Sequence, residues 1–159
     1  MVQPNAPFGR DTSVSDAVIW SRHRDELIRY ATVLVGPAEA EDLLSTVVLR
    51  VLQRRSLTEL RHPRSYLFQG VLNEARSLGR RNSRRRLAGD ESVPPIEVDP
   101  GVLDAVLRLP ERQRAAVYLT YWRDLPIAET AELMGCRPGT VKRYLHLARS
   151  HLREVLDEK

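Results

Sequence analysis

Apolar residues in this chain recur every three or four positions, and no stretch alternates with the period of two that a half-buried strand needs. The pattern predicts helices throughout. A first helix is expected from near Ser15, with Trp20, Leu27, Ala31 and Leu34 on one stripe and Gly36 closing it. Residues 1–14 carry little apolar content and are expected to be disordered. The second helix, about 38–54, has the clearest period: Ala40, Leu43, Leu44, Val47, Val48 and Val51. After the loop SLTELRH, Pro63 is suited to a helix start, and a third helix over about 64–81 carries Leu67, Val71, Ala75 and Leu78. Three such stripes can close one small bundle.

The pattern then breaks. Residues 76–86 read RSLGRRNSRRR, with six arginines and no acid, and residues 87–104 carry five acids, three prolines and no base. Without an apolar period, residues 82–99 read as a flexible acidic linker. Beyond it, helices are expected at about 101–108, 111–123, 127–134 and 138–156, with Pro110, Pro126 and Pro138 at or just before three of the starts. The expected architecture is all-α: a disordered 1–14, a three-helix unit at 15–81, the linker at 82–99, and a second helical unit at 100–159.

Composition narrows the function classes. The net charge of +4 is compatible with a polyanionic partner without requiring one. A single cysteine, Cys136, provides neither a disulfide framework nor a cysteine-based metal site. His146 and His151 have no carboxylate or thiol at ligand spacing, so no metal and no cofactor are expected. No apolar run approaches membrane-spanning length and no signal-peptide core opens the chain, so a reduced cytoplasmic setting is expected. The acids are dispersed or confined to the linker, which argues against a catalytic constellation and for a non-enzyme.

One segment carries a specific geometry. In IAETAELMGCRPGTVKRYL, Ala131 allows two helices to cross closely, Gly135 supplies the turn, and Val141 plugs the space between the helices. That is the spacing of a helix-turn-helix. On its second helix, Val141, Leu145, Ala148 and Leu152 form an inner face. Lys142, His146, Arg149 and Arg153 form a parallel basic edge, and Arg137 and Arg143 add charge at the N-terminal end. A recognition helix places its first residues at base edges in the major groove. Arginine can pair with guanine and Thr140 can meet a base or a methyl, while later basic groups meet phosphates.

LPERQRAAVYLTYWRDLPIAETAELMGCRPGTVKRYLHLARSHLREVL resembles the C-terminal promoter-reading domain of bacterial sigma factors, specifically the extracytoplasmic-function group of the sigma-70 family. AEAEDLLSTVVLRVLQRR resembles the polymerase-binding helix of that family, and PRSYLFQGVLNEARSLGRR its promoter-melting helix. The resemblance covers about residues 15–156. It implies a region 2-like bundle that docks on core RNA polymerase and opens the −10 element, and a region 4-like domain that reads the −35 element. It also implies promoter DNA as ligand, a monomer within the polymerase complex, and an anti-sigma protein as a further partner. Carried over by position, the polymerase contacts fall on Asp42, Leu43, Leu49, Arg50 and Gln53, with Leu43 equally suited to the bundle core. The −10 contacts fall on Tyr66, Asn73, Arg76, Arg80 and Arg81, with Phe68 a further aromatic candidate, Tyr66 and Phe68 both being equally suited to the bundle core, and the loop 56–62 in the place of the base-capture loop. The −35 contacts fall on Arg137, Thr140, Lys142, Arg143, His146 and Arg149.

Three departures from the family pattern stand out. Ser45 and Thr46 occupy the place of a usual Gln-Glu pair, Leu52 that of a large aromatic, and Arg143–Tyr144 that of Ser-Arg in the recognition helix. Ser45, Thr46 and Leu52 motivate a rival reading, a DNA-binding regulator that keeps the fold without engaging polymerase. A nucleic-acid-cleaving enzyme and a nonspecific polyanion-binding patch at 76–86 are further alternatives.

Overall fold

The computed structural model describes residues 11–82 and 100–157, and among these every regular element is helical. In chain order they are α1 (Asp11–Val35), α2 (Pro37–Arg54), a 3₁₀ turn (Leu57–Glu59), α3 (Pro63–Asn82), α4 (Pro100–Leu107), α5 (Glu111–Val117), α6 (Ile127–Met134) and α7 (Pro138–Asp157). The helix starts follow the prolines, because a residue without an N–H loses nothing in a first turn.

Two expectations need adjustment. α1 begins at Asp11, so residues 11–14 are helical rather than disordered. The rest of the N-terminal segment and the linker at 83–99 lie outside the described residues. The helix expected to run to 123 changes character after Val117: Tyr118–Trp122 form a π turn, in which the Arg123 amide donates to the Tyr118 carbonyl at 3.0 Å. Such wide turns are frequent at functional sites.

The two helical units are packed together. A single apolar cluster runs through both, from Leu27, Leu34, Leu43 and Phe68 to Leu119, Leu133 and Val141. The Tyr30 ring of α1 lies 4.9 Å from Phe68 on α3 and 6.1 Å from Tyr118 in the second unit. At Gly135 the chain adopts a left-handed conformation (φ 68°, ψ 37°) that glycine enters freely. The Gly135 and Cys136 amides donate back to the carbonyls of Glu132 and Ala131, ending α6 in a Schellman turn and aiming α7 outward.

Candidate nucleic-acid interface

The basic edge of α7 is built as its periodicity implied. Val141, Leu145 and Ala148 are buried, which turns Lys142, Arg143, His146 and Arg149 to solvent, with Arg137 exposed in the turn ahead. Thr140 is half-buried beside them. Tyr144, at the place of a usual arginine, packs against the shared core, so the exposed cation here is the neighbouring Arg143. Neighbouring positions differ by about 100° around a helix, which moves the charge to a different part of the helix surface. Arg149 is not a free cation: its Nη2 donates to the Tyr121 hydroxyl at 2.7 Å. Tyr121 projects from the π turn and was not singled out by sequence.

The first unit carries a second surface. α2 and α3 enclose an open groove of about 530 Å³ whose lining includes Arg50, Arg54, Tyr66, Gln69, Asn73 and Glu74. Tyr66 is 42 % exposed, whereas Phe68 lies in the core, so Tyr66 is the one of the two that reaches the surface. Asn73, Arg80 and Arg81 are exposed and Arg76 is half-buried. Glu74, nearly buried, receives both Arg50 (2.5 Å) and Arg81 (3.6 Å). The sequence separated these arginines into polymerase and DNA sets, and one carboxylate brings them together. Arg54 and Gln69 are further groove residues that the sequence did not single out; Arg54 follows Arg50 by one helical turn, and that spacing was the available signal.

The groove is flanked by a tethered loop. Asp16 of α1 accepts from Ser56 Oγ at 2.5 Å and from the Leu57 amide at 2.8 Å, and Leu57 is buried beneath the turn. The segment at 56–62 is thus held against α1 at its first residues.

On α2, Asp42, Leu49 and Gln53 share one exposed face, as residues seven and eleven positions apart do. Leu49 is 58 % exposed and Leu52 is exposed beside it. Leu43 is corrected to the core: it is 2 % exposed, because it follows the buried Ala40–Val47–Val51 stripe. The Thr46 hydroxyl donates to the Asp42 carbonyl at 2.9 Å, so it is turned along its own helix rather than outward.

Comparison with known proteins places this geometry. The family model described as "Sigma-70, region 4" matches residues 101–152. An RNA polymerase sigma-E factor of Streptomyces avermitilis is 31% identical over 147 residues, covering 86% of this chain and 82% of that protein. The ECF RNA polymerase sigma factor SigL of Mycobacterium tuberculosis is 32% identical over 155 residues, covering 88% of each. The chain belongs to the extracytoplasmic-function sigma factors. Among solved structures, the sigma factor RpoE of Bartonella quintana, in complex with the anti-sigma factor NepR, shares the fold with a TM-score of 0.66 at 22% identity, covering 90% of this chain and 97% of that one. Within this sigma-factor frame, α6–α7 is the region 4 helix-turn-helix, and the α2–α3 groove belongs to the preceding helical unit.

Proposed function

We infer that this chain is a non-enzymatic initiation factor that binds core RNA polymerase and directs it to specific promoters. Membership of the sigma-factor family carries this reading, and the exposed side chains supply its chemistry. Arg143, Lys142 and Thr140 read the −35 element from the major groove, while Arg149 and Arg137 meet phosphates. Tyr66 and Asn73 engage the opened non-template strand, and Arg76, Arg80 and Arg81 follow its backbone. Opening without ATP needs several such contacts, because each flipped base costs a few kcal/mol of unstacking and each aromatic stack returns about 1–3 kcal/mol. Leu49 and Leu52 offer an apolar patch to a polymerase helix, with Asp42 and Gln53 setting register. That patch favours a polymerase-docking role over the rival DNA-binding regulator, which has no use for two exposed leucines on one face. The working partners are core polymerase, promoter DNA and an anti-sigma protein, in a cytoplasmic setting, with one copy per polymerase.

Run-off transcription with core polymerase from the same organism, on a pool of genomic promoter fragments, tests the reading. Discrete transcripts that require this protein are expected. Their absence, together with sequence-selective binding to duplex fragments by the protein alone, would establish the regulator instead.

A further inference from the structure

Asp16 lies in the second turn of α1, one helical turn before Ile19 and Trp20, which pack against the apolar core. Its carboxylate serves a segment 41 positions further along the chain. Oδ1 accepts from the Leu57 amide at 2.8 Å and from Ser56 Oγ at 2.5 Å. Ser56 Oγ in turn accepts from the Thr58 amide at 3.2 Å. The next two amides are held within the 3₁₀ turn: Glu59 donates to the Ser56 carbonyl and Leu60 to the Leu57 carbonyl, both at 3.2 Å. The first amides of any helical turn lack backbone partners within it. Here those two, Leu57 and Thr58, depend on the Asp16–Ser56 pair.

The segment so held joins the two walls of the α2–α3 groove. Arg54, at the end of α2, and Tyr66, in the first turn of α3, both line that groove, and residues 55–62 connect them. Leu57, 1 % exposed, roots the segment in the core, while Thr58, Glu59, Arg61 and His62 face solvent. The Tyr66 amide donates to the His62 carbonyl at 3.0 Å, which ties the far end of the segment to α3. The exposed groups differ in kind from the arginines of α3. A surface that follows phosphates needs cations, and the Glu59 carboxylate would repel them. A hydroxyl, a carboxylate, a guanidinium and an imidazole together supply the donors and acceptors that a base edge presents in return. With one buried side chain in its three-residue turn, the segment has no core of its own, so its aim comes from α1.

We propose that Asp16 is a positioning residue for promoter opening: it holds the 56–62 segment so that Thr58, Glu59, Arg61 and His62 read the edge of one unstacked base at the end of the α2–α3 groove. The proposal rests on the sigma-factor reading and adds to it a residue of α1 that acts through the loop. Reading by side chains requires that their support hold them within about 0.5 Å of the productive geometry. A loosened segment keeps the general attraction for the strand, because Arg76, Arg80 and Arg81 stand on α3 and do not move with it. What it loses is discrimination between bases. Burial of Leu57 keeps the segment attached without Asp16, so removing the carboxylate frees the turn and leaves the helical unit folded.

The experiment uses the full chain, alone and with core polymerase. Asp16→Ala removes the acceptor, Asp16→Asn keeps a side-chain oxygen that accepts, and Ser56→Ala breaks the same link from the loop side. Hydrogen exchange on the free chain reads the tether. Asp16→Ala should speed exchange of the Leu57 and Thr58 amides by about tenfold or more and leave α3 amides such as that of Leu72 as in wild type. Run-off transcription reads the aim, from promoters that the wild type selects, with every base placed in turn at each position of the −10 element. Discrimination should fall by about fivefold or more at one position, with the other positions and the dependence on the −35 element unchanged, and Asp16→Asn should recover most of it. Ser56→Ala should add little to Asp16→Ala, because the two share one link. Unchanged exchange at Leu57 and Thr58 would overturn the tether. Transcription lowered equally on every base would mark Asp16 as merely structural and overturn the base reading. Should Asp16→Ala lose helical circular dichroism, Ser56→Ala decides in its place. A wild-type chain that yields no transcripts overturns the base reading together with the sigma-factor reading, while exchange, which uses no polymerase, still decides the tether.

Discussion

Arg149 on the outer edge of α7 donates to the hydroxyl of Tyr121 in the π turn, across 2.7 Å. The bond joins the recognition helix to the helix two elements earlier and restricts a long side chain that would otherwise sample many rotamers. Tyr121→Phe keeps the ring and loses the acceptor. Duplex binding should weaken about two- to twelvefold, as a net hydrogen-bond contribution of about 0.5–1.5 kcal/mol implies. Arg149→Ala should weaken binding across sequences and lower the slope of log affinity against log salt by about one. A titration of both variants against salt checks this, and an unchanged slope for Arg149→Ala would remove that residue from the phosphate contacts.

Leu43 and Leu49 lie on the same helix and should respond in opposite ways. Leu49→Asp, at an exposed site, should leave thermal stability within about 0.5 kcal/mol and lower core-polymerase affinity by more than tenfold. Leu43→Ala, in the core, should cost about 2–5 kcal/mol of stability. Denaturant melts and pull-down of core enzyme separate the two effects.

The Tyr30 hydroxyl is buried with no hydrogen-bond partner among the described residues. Burial also pushes its phenol well above the ordinary tyrosine range. An unpaired buried hydroxyl carries a desolvation cost without a compensating bond. Tyr30→Phe should therefore be neutral or stabilising by up to about 1 kcal/mol, against the usual trend for a core substitution, and a urea melt measures it.

Glu26 sits where the units meet, bonded to Arg64 and His23 and 3.5 Å from Arg123. Burial alone would raise its carboxyl, but the hydrogen bonds and charges of Arg64 and His23 hold it below the ordinary value of 4.5. A carboxylate with a depressed folded pKa contributes stability that is fully present above the unfolded value and is lost as pH falls through the folded one. Stability should be level with respect to this group above about pH 5 and decline below about pH 4.5, with Glu26→Gln flattening the decline. Urea melts from pH 7 to pH 3 measure it.

Helix by helix, most boundaries were legible. Pro37, Pro63, Pro100 and Pro138 each open a helix because their restriction is local: a missing N–H and a fixed φ act whatever the rest of the chain does. Gly135 was legible for the same reason, since its left-handed turn depends on its own missing Cβ. The π turn was not, because the apolar period continues through it.

Site residues divide along the same line. The exposed basic edge of α7 follows from the apolar stripe opposite it, and the helix period fixes both at once. Arg114 went unnoticed, although an arginine in phase with Val117 and Tyr118 on a buried face was a visible signal. Periodicity shows that a face is covered without showing what covers it.

Local patterns along the chain suffice to show that it is helical, where its helices begin and which family it resembles, because propensity, capping and motif spacing are short-range properties. That the two units share one core, that Arg114 caps α1 from the far unit, and that Arg50 and Arg81 meet at Glu74 emerges from packing in three dimensions. Arg50 and Glu74 are 24 positions apart on α2 and α3, and Arg114 lies 81 positions from Val33 on α1. These contacts depend on how whole helices pack, and no local pattern along the chain encodes that.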